Sequence, residues 1–126
     1  MLQAIGLVML GGALGASARF FVTHFFSEMS SHRGFPFGTL VVNVVGSLAV
    51  GYILTWSADH VHDRWRLLAA TGFCGGFTTF SAFAFETVAY WHTGEIATLL
   101  LNVFLNNALS LAAVLCGIAL HNSNSH

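Results

Sequence analysis

Residues 71–86 read TGFCGGFTTFSAFAFE and form the most informative segment of the chain. It is almost entirely apolar, yet three glycines fall within residues 72–76 and two threonines follow. Glycine is a poor helix former, so this cluster predicts a break in an otherwise apolar helix. The threonine hydroxyls can cap the second half of that helix. Irregular backbone at membrane depth is tolerated only where it is buried in protein or faces a water-filled cavity. The segment therefore also predicts a binding site, because the freed backbone carbonyls can hold a small cation.

Apolar sequence extends on both sides of this stretch and recurs in the rest of the chain. A helix needs about 20 apolar residues to cross the roughly 30 Å hydrocarbon core of a bilayer. Stretches of sufficient length lie at residues 2–26, 37–56, 65–91 and 96–120. We therefore predict an all-α membrane protein whose residues 1–126 form a single transmembrane domain of four helices, the third broken at its glycines. The first is interpreted as a membrane helix because no basic segment precedes it, as a signal peptide would require.

The composition excludes several classes of protein. Charged residues are 7% of the chain, against about 25% in soluble domains. A soluble enzyme, a disordered protein and a nucleic-acid binder are therefore not expected, and no nucleophile lies beside a plausible base. Residues 59–63 (DHVHD) contain metal-binding side chains, but we expect no site in so short a loop. Cys74 and Cys116 lie in apolar segments and predict no disulfide framework.

The four basic residues are all arginines, and they are distributed almost evenly across the predicted membrane. With four crossings, Arg64 and Arg66 lie toward one side, whereas Arg33 lies on the other with Arg19 a turn or two inside. Orientation normally follows the excess of Lys and Arg in short cytoplasmic loops. So small a bias favours insertion in both orientations, and we hypothesise an antiparallel, dual-topology homodimer.

Two predicted helices carry polar stripes at a spacing of four residues, which places each stripe on one helical face. The stripes are Thr39, Asn43 and Ser47 in the second helix and Asn102, Asn106 and Ser110 in the fourth. Hydrogen bonding between helices is the common role of such residues in membranes. Two matched stripes with asparagines at mid-span also indicate a polar track through the bundle.

Two charged residues lie inside predicted helices. Arg19 shares a face with Gly11 and Gly15, and it is either an anchor at the membrane interface or the positive rim of a vestibule for anions. Glu86 is either a carboxylate hydrogen-bonded within the bundle or a site for a proton or cation. The residues alone leave these alternatives open.

Three motifs together resemble one family, the Fluc (CrcB) fluoride channels of bacteria. They are GALGASAR at 12–19, GTLVVNVVGS at 38–47 and GFCGGFTTFS at 72–81. The resemblance covers all four predicted helices. It implies a dual-topology antiparallel homodimer in the bacterial inner membrane, with two pores through which fluoride leaves the cytoplasm passively.

The resemblance also implies roles for particular residues. Asn43 would be a pore-lining amide donor, and Phe80 and Phe83 from different subunits would line each pore with their ring edges. The polar track would include Thr79, Ser81, Ser110 and Asn106, with Arg19 and Thr39 at the vestibule. A structural sodium ion that is not transported would bind the backbone carbonyls of Gly75 and Thr78 from both chains. Glu86 matches an acid of the family, and Ala82 stands where the family often has a second hydroxyl residue.

Two other classes remain as alternatives. Small multidrug-resistance-type transporters are also antiparallel dimers of four short helices, but they depend on a carboxylate in the first helix, where this chain has Arg19 and no acid. A non-transporting subunit held together by small-residue faces would leave the glycine cluster and the matched amides unexplained.

Overall fold

The computed structural model describes residues 1–29, 34–58 and 64–124, and within these ranges all regular structure is helical. The helices are α1 (Leu2–Met29), α2 (Phe37–Trp56), the π-helix π1 (Arg66–Cys74), α3 (Gly75–Phe77), α4 (Phe80–Thr93) and α5 (Ile96–Asn124). Four spans are long and apolar enough to cross a membrane: α1, α2, Arg66–Thr93 and α5. The prediction of an all-α protein with four membrane helices is confirmed. Arg33 and the candidate metal loop at 59–63 lie outside the described residues.

Three of the spans end later than the sequence predicts. The first, third and fourth continue to Met29, Thr93 and Asn124, because the polar residues at their ends do not by themselves stop a helix. Gly94 ends α4 in the left-handed conformation, with φ 77°, and its amide donates to the carbonyl of Trp91. This is the usual way in which glycine closes a helix.

The interruption of the third span lies at Thr78 and Thr79 and not at the glycines. Both threonines are extended, with ψ of 155° and 113°, whereas the three glycines are helical. Two of the glycines instead allow α1 to approach closely. A Cβ atom on Gly76 would lie 2.5 Å from the carbonyl oxygen of Gly12, and one on Gly72 would lie 2.9 Å from the Cα of Gly11.

The interior of the bundle is small and partly polar, while large apolar side chains point outward. Asn102 is fully buried and Asn106 is 5% exposed, whereas Phe20, Phe85 and Leu111 are more than two-thirds exposed. A protein in water shows the opposite distribution. Polar side chains between helices and apolar side chains toward lipid are what a bilayer requires.

Candidate functional site at the break in the third span

Thr79 caps the second half of the third span. Its hydroxyl oxygen accepts from the amide of Ala82 at 3.1 Å, which caps the N-terminus of α4. The Ser81 hydroxyl lies 3.2 Å from the same oxygen. The expected capping of the second half-helix by a threonine is confirmed.

Asn43 of α2 binds the backbone at the break. Its Oδ1 accepts from the Thr79 amide at 2.8 Å, and its Nδ2 donates to the Thr79 carbonyl at 3.2 Å. Nδ2 also donates to Oδ1 of Asn106 at 3.0 Å. An amide group has two hydrogens, so both are engaged within the protein. Asn43 is predicted to be a pore-lining amide donor, and in this arrangement a hydrogen becomes available to an ion only when one of these bonds is exchanged.

A cavity of about 400 Å³ opens beside the break, between α2, the start of α4 and α5. The predicted residues Asn43, Thr79, Phe80, Phe83, Asn106 and Ser110 all line it. The rings of Phe80 and Phe83 are tilted by 56° with centroids 5.5 Å apart. The buried Oγ of Ser110 has no hydrogen-bond partner among the described residues. Ser81 is not part of the lining and joins the site through Thr79.

A second cavity, of about 510 Å³, lies between the end of α1, the start of α2 and the end of α4. Thr39 and Glu86 line it, and the Thr39 hydroxyl donates to Oε1 of Glu86 at 2.5 Å. The buried Oε2 of Glu86 has no partner in the part of the chain that the structure describes. Thr39 and Asn43 are separated by about 6 Å along α2, so the two cavities follow one helical face.

Arg19 lies against the break and does not line the cavity that contains Thr39. Its Nη1 donates to the Thr78 carbonyl at 3.3 Å. The last carbonyls of a helix carry partial negative charge, which attracts a cation. Arg19 therefore contacts the end of the first half-helix, and its position at a vestibule stays a prediction.

Comparison with known proteins identifies the family. A family model described as "CrcB-like protein, Camphor Resistance (CrcB)" matches residues 6–118. The chain belongs to the CrcB family. Curated CrcB relatives named "Fluoride-specific ion channel FluC" include one from Koribacter versatilis, 44% identical over 86% of each chain, and one from Paracoccus denitrificans, 46% identical over 88% of each. Another, from Pyrococcus furiosus, is 39% identical over 94% of this chain and 96% of its own.

In this CrcB chain, the carbonyls of Gly75 and Thr78 differ in their hydrogen-bond partners. The Thr78 carbonyl accepts from Nη1 of Arg19 at 3.3 Å. The Thr79 amide, which would close a helical turn on Gly75, is directed to Asn43 instead, so the Gly75 carbonyl lacks that bond. Gly75 is exposed, and a Cβ there would meet nothing within 4 Å in the described protomer. The described residues contain no cluster of His, Cys, Asp or Glu suited to a metal. Backbone carbonyls freed at a helix break are the type of ligand that sodium takes in membrane proteins.

The predicted site did not include Asn102 and Thr87, which are hydrogen-bonded to each other. Asn102 accepts from Nδ2 of Asn106 at 2.8 Å and donates to the Thr87 hydroxyl at 3.1 Å. The signal for Asn102 was its spacing of four from Asn106, which placed it on the polar stripe. Nothing in the sequence marked Thr87, since it comes from a different span.

Proposed function

We propose that this chain is a fluoride-selective ion channel that lets fluoride leave the cytoplasm passively and so lowers its toxicity. The observation that carries the proposal is similarity of 39% to 46% identity, over 86% or more of each chain, to relatives named as fluoride-specific ion channels. It is a multi-pass membrane protein and not an enzyme. These relatives do not favour the alternative of a small multidrug-resistance-type transporter.

The chemistry of the 400 Å³ cavity supports passage of a small anion. Fluoride is strongly hydrated in water and loses most of these water molecules in a narrow pore. Hydrogen-bond donors of the protein must therefore take the place of the lost water. The Ser110 hydroxyl is buried without a partner among the described residues, and Thr79 lines the same cavity, with the Ser81 hydroxyl 3.2 Å from the hydroxyl of Thr79. The edges of aromatic rings carry positive potential, and Phe80 and Phe83 supply two rings. No charged side chain of the described ranges lines this cavity, so an anion entering it meets no fixed cation to trap it.

The proposed assembly is an antiparallel homodimer in the bacterial inner membrane, with two pores. The near-even distribution of arginines supports dual topology. Phe80 is 77% exposed and Gly75 is also exposed, so residues on both sides of the break are available for packing against a second copy. In that assembly, Phe80 and Phe83 of different subunits line each pore.

A structural sodium ion at the centre of this dimer is the remaining part of the proposal. The carbonyls of Gly75 and Thr78 from both chains would hold it, and it would not be transported. The Gly75 carbonyl, left without its helical donor on an exposed face, supports this role. A monovalent cation there would be attracted to the dipole of the Gly75 carbonyl, which the break leaves without its helical donor.

The test is anion efflux from liposomes that contain the purified full-length chain, with fluoride compared with chloride. We expect fluoride efflux well above that from protein-free liposomes and chloride efflux close to it. Equal rates for the two anions, or no fluoride efflux, would refute the proposed function. The same liposomes loaded with a quaternary ammonium cation test the transporter alternative, which requires a proton-driven flux of that cation.

A further inference from the structure

A chain of hydrogen-bonded side chains runs from the break into the bundle. Asn43 donates from Nδ2 to Asn106 Oδ1 at 3.0 Å, and Asn106 donates from Nδ2 to Asn102 Oδ1 at 2.8 Å. Asn102 then donates from Nδ2 to the Thr87 hydroxyl oxygen at 3.1 Å. Each asparagine of this chain therefore donates to the next member, in the direction from the break toward the middle of α4.

Groups with only one possible role fix this direction at both ends. The backbone amide of Thr79 can only donate, so the Asn43 atom facing it is the oxygen. The Thr87 hydroxyl already donates to the carbonyl of Phe83 at 2.7 Å, so it accepts from Asn102. An isolated asparagine side chain can turn over and exchange its oxygen and nitrogen, whereas these three cannot do so independently.

The middle of the chain is held in the same way. Nδ2 of Asn106 also donates to the backbone carbonyl of Asn102 at 3.2 Å, and a carbonyl only accepts. Both asparagines are buried: Asn102 is 0% exposed and Asn106 is 5% exposed. A buried amide that loses its partner carries the full cost of desolvation, so each bond restrains the next one.

This arrangement bears on the proposed anion path. Asn106 Oδ1 occupies one of the two hydrogens of Asn43, and both of these residues line the 400 Å³ cavity. Asn106 presents oxygen there because Asn102 holds its nitrogen on the other side. Asn102 itself lines neither cavity.

We propose that Asn102 is a positioning residue for the anion path. Acting through Asn106, it keeps the Asn43 amide in one orientation, with one hydrogen on the Thr79 carbonyl and the other on Asn106 Oδ1, so that an anion gains this second hydrogen only in exchange for Asn106 Oδ1. This inference rests on the proposed channel function. The exchange keeps the Asn43 site from binding an anion tightly, because the protein's own acceptor competes for the same hydrogen.

The first experiment is a double-mutant cycle on fluoride efflux with Asn102→Leu and Asn106→Leu. Leucine has the branching and the number of side-chain heavy atoms of asparagine, and it removes both the donor and the acceptor. We expect each single variant to slow efflux about three- to tenfold, as the loss of one hydrogen bond would. Because Asn102 acts through Asn106, Asn102→Leu should cause no further change in the Asn106→Leu background.

The second experiment uses the far end of the chain, where a conservative pair is available. Thr87→Ser retains the hydroxyl and should preserve efflux, whereas the isosteric Thr87→Val removes the partner of Asn102 and should reproduce the loss seen with Asn102→Leu. Thr55→Val is the matched control, since its hydroxyl donates to the Gly51 carbonyl of its own helix at 2.7 Å. A purely structural role of these hydroxyls would lower efflux to a similar extent in Thr55→Val and Thr87→Val.

The outcomes separate this inference from the function on which it rests. Non-additive losses in the cycle, together with retention of efflux in Thr87→Ser, support it. Fluoride efflux by the unmodified chain combined with multiplicative losses, or equal loss in both Thr87 variants, overturns the positioning role alone. No efflux by the unmodified chain overturns the proposed function and this inference with it.

Discussion

Asn43 and Thr79 form a reciprocal pair in which a side-chain amide replaces a backbone partner. The Thr79 N–H donates to Oδ1 of Asn43 at 2.8 Å, and Nδ2 of Asn43 donates back to the Thr79 carbonyl at 3.2 Å. An extended residue inside a membrane has no neighbouring strand with which to pair, so its polar groups need such a partner. The pair therefore maintains the break at which the candidate site is built.

Asn43→Asp tests this pair. The carboxylate can still accept from the Thr79 amide, but it has no hydrogens for the Thr79 carbonyl or for Asn106. We expect the free energy of unfolding to fall by about 1–3 kcal/mol, the cost of buried groups left unpaired, and fluoride efflux to be lost. Thermal unfolding in detergent and liposome efflux measure the two effects. Unchanged stability would mean that the break does not depend on this side chain.

Phe80→Ile and Phe83→Ile test the aromatic lining. Isoleucine keeps apolar volume but has no electropositive ring edge, so we expect fluoride efflux to fall about tenfold while the oligomeric state is unchanged. Phe85→Ile is the matched control, because Phe85 lies on the same helix, is 77% exposed and lines neither cavity. Normal efflux in both variants would remove the rings from the conduction mechanism.

Gly76→Ala tests the close contact between α1 and the third span. The added methyl group would lie 2.5 Å from the Gly12 carbonyl oxygen, and backbone on both sides limits relaxation. We expect a loss of about 1–3 kcal/mol of unfolding free energy, as for overpacked cores. Gly6→Ala provides the control, since a Cβ there meets none of the described atoms within 4 Å. Equal stability of the two variants in thermal unfolding would contradict this packing.

Thr78→Ala tests the proposed sodium ligand. The side-chain hydroxyl donates to the Cys74 carbonyl at 2.9 Å, whereas the proposed ligand is the backbone carbonyl of the same residue. We expect the sodium dependence of efflux to persist, with a loss of stability of about 1 kcal/mol from the missing hydrogen bond. Efflux measured over a series of sodium concentrations decides the question. Loss of sodium dependence on this change would assign the ligand to the side chain.

The number of helices and most of their starting points could be predicted from the sequence, because apolar length and turn residues are local properties. Phe37 and Ile96 begin helices as predicted, and Trp56 ends one. The position of the break could not be predicted in this way. Gly72 and Gly76 would permit an irregular backbone, but their function depends on the approach of α1, which is a property of packing.

Much of the candidate site could also be predicted, because spacings of four residues place polar groups on one face. The stripe residues Asn43 and Asn106 are hydrogen-bonded to each other and line the same cavity. What spacing could not reveal is how the donors are used. Asn43 and Arg19 both donate to carbonyls at Thr78 and Thr79, and these carbonyls became available only through the break itself.

The buried asparagines also bear on how the molecule is made. Asn43, Asn106 and Asn102 find their partners within one protomer, as does Thr39 with Glu86. A single copy can therefore persist in lipid without exposing these amides, because they are already hydrogen-bonded within the protomer before a second copy binds. For the proposed antiparallel dimer this has a practical consequence: copies inserted in opposite orientations can diffuse separately in the bilayer and meet after each has folded.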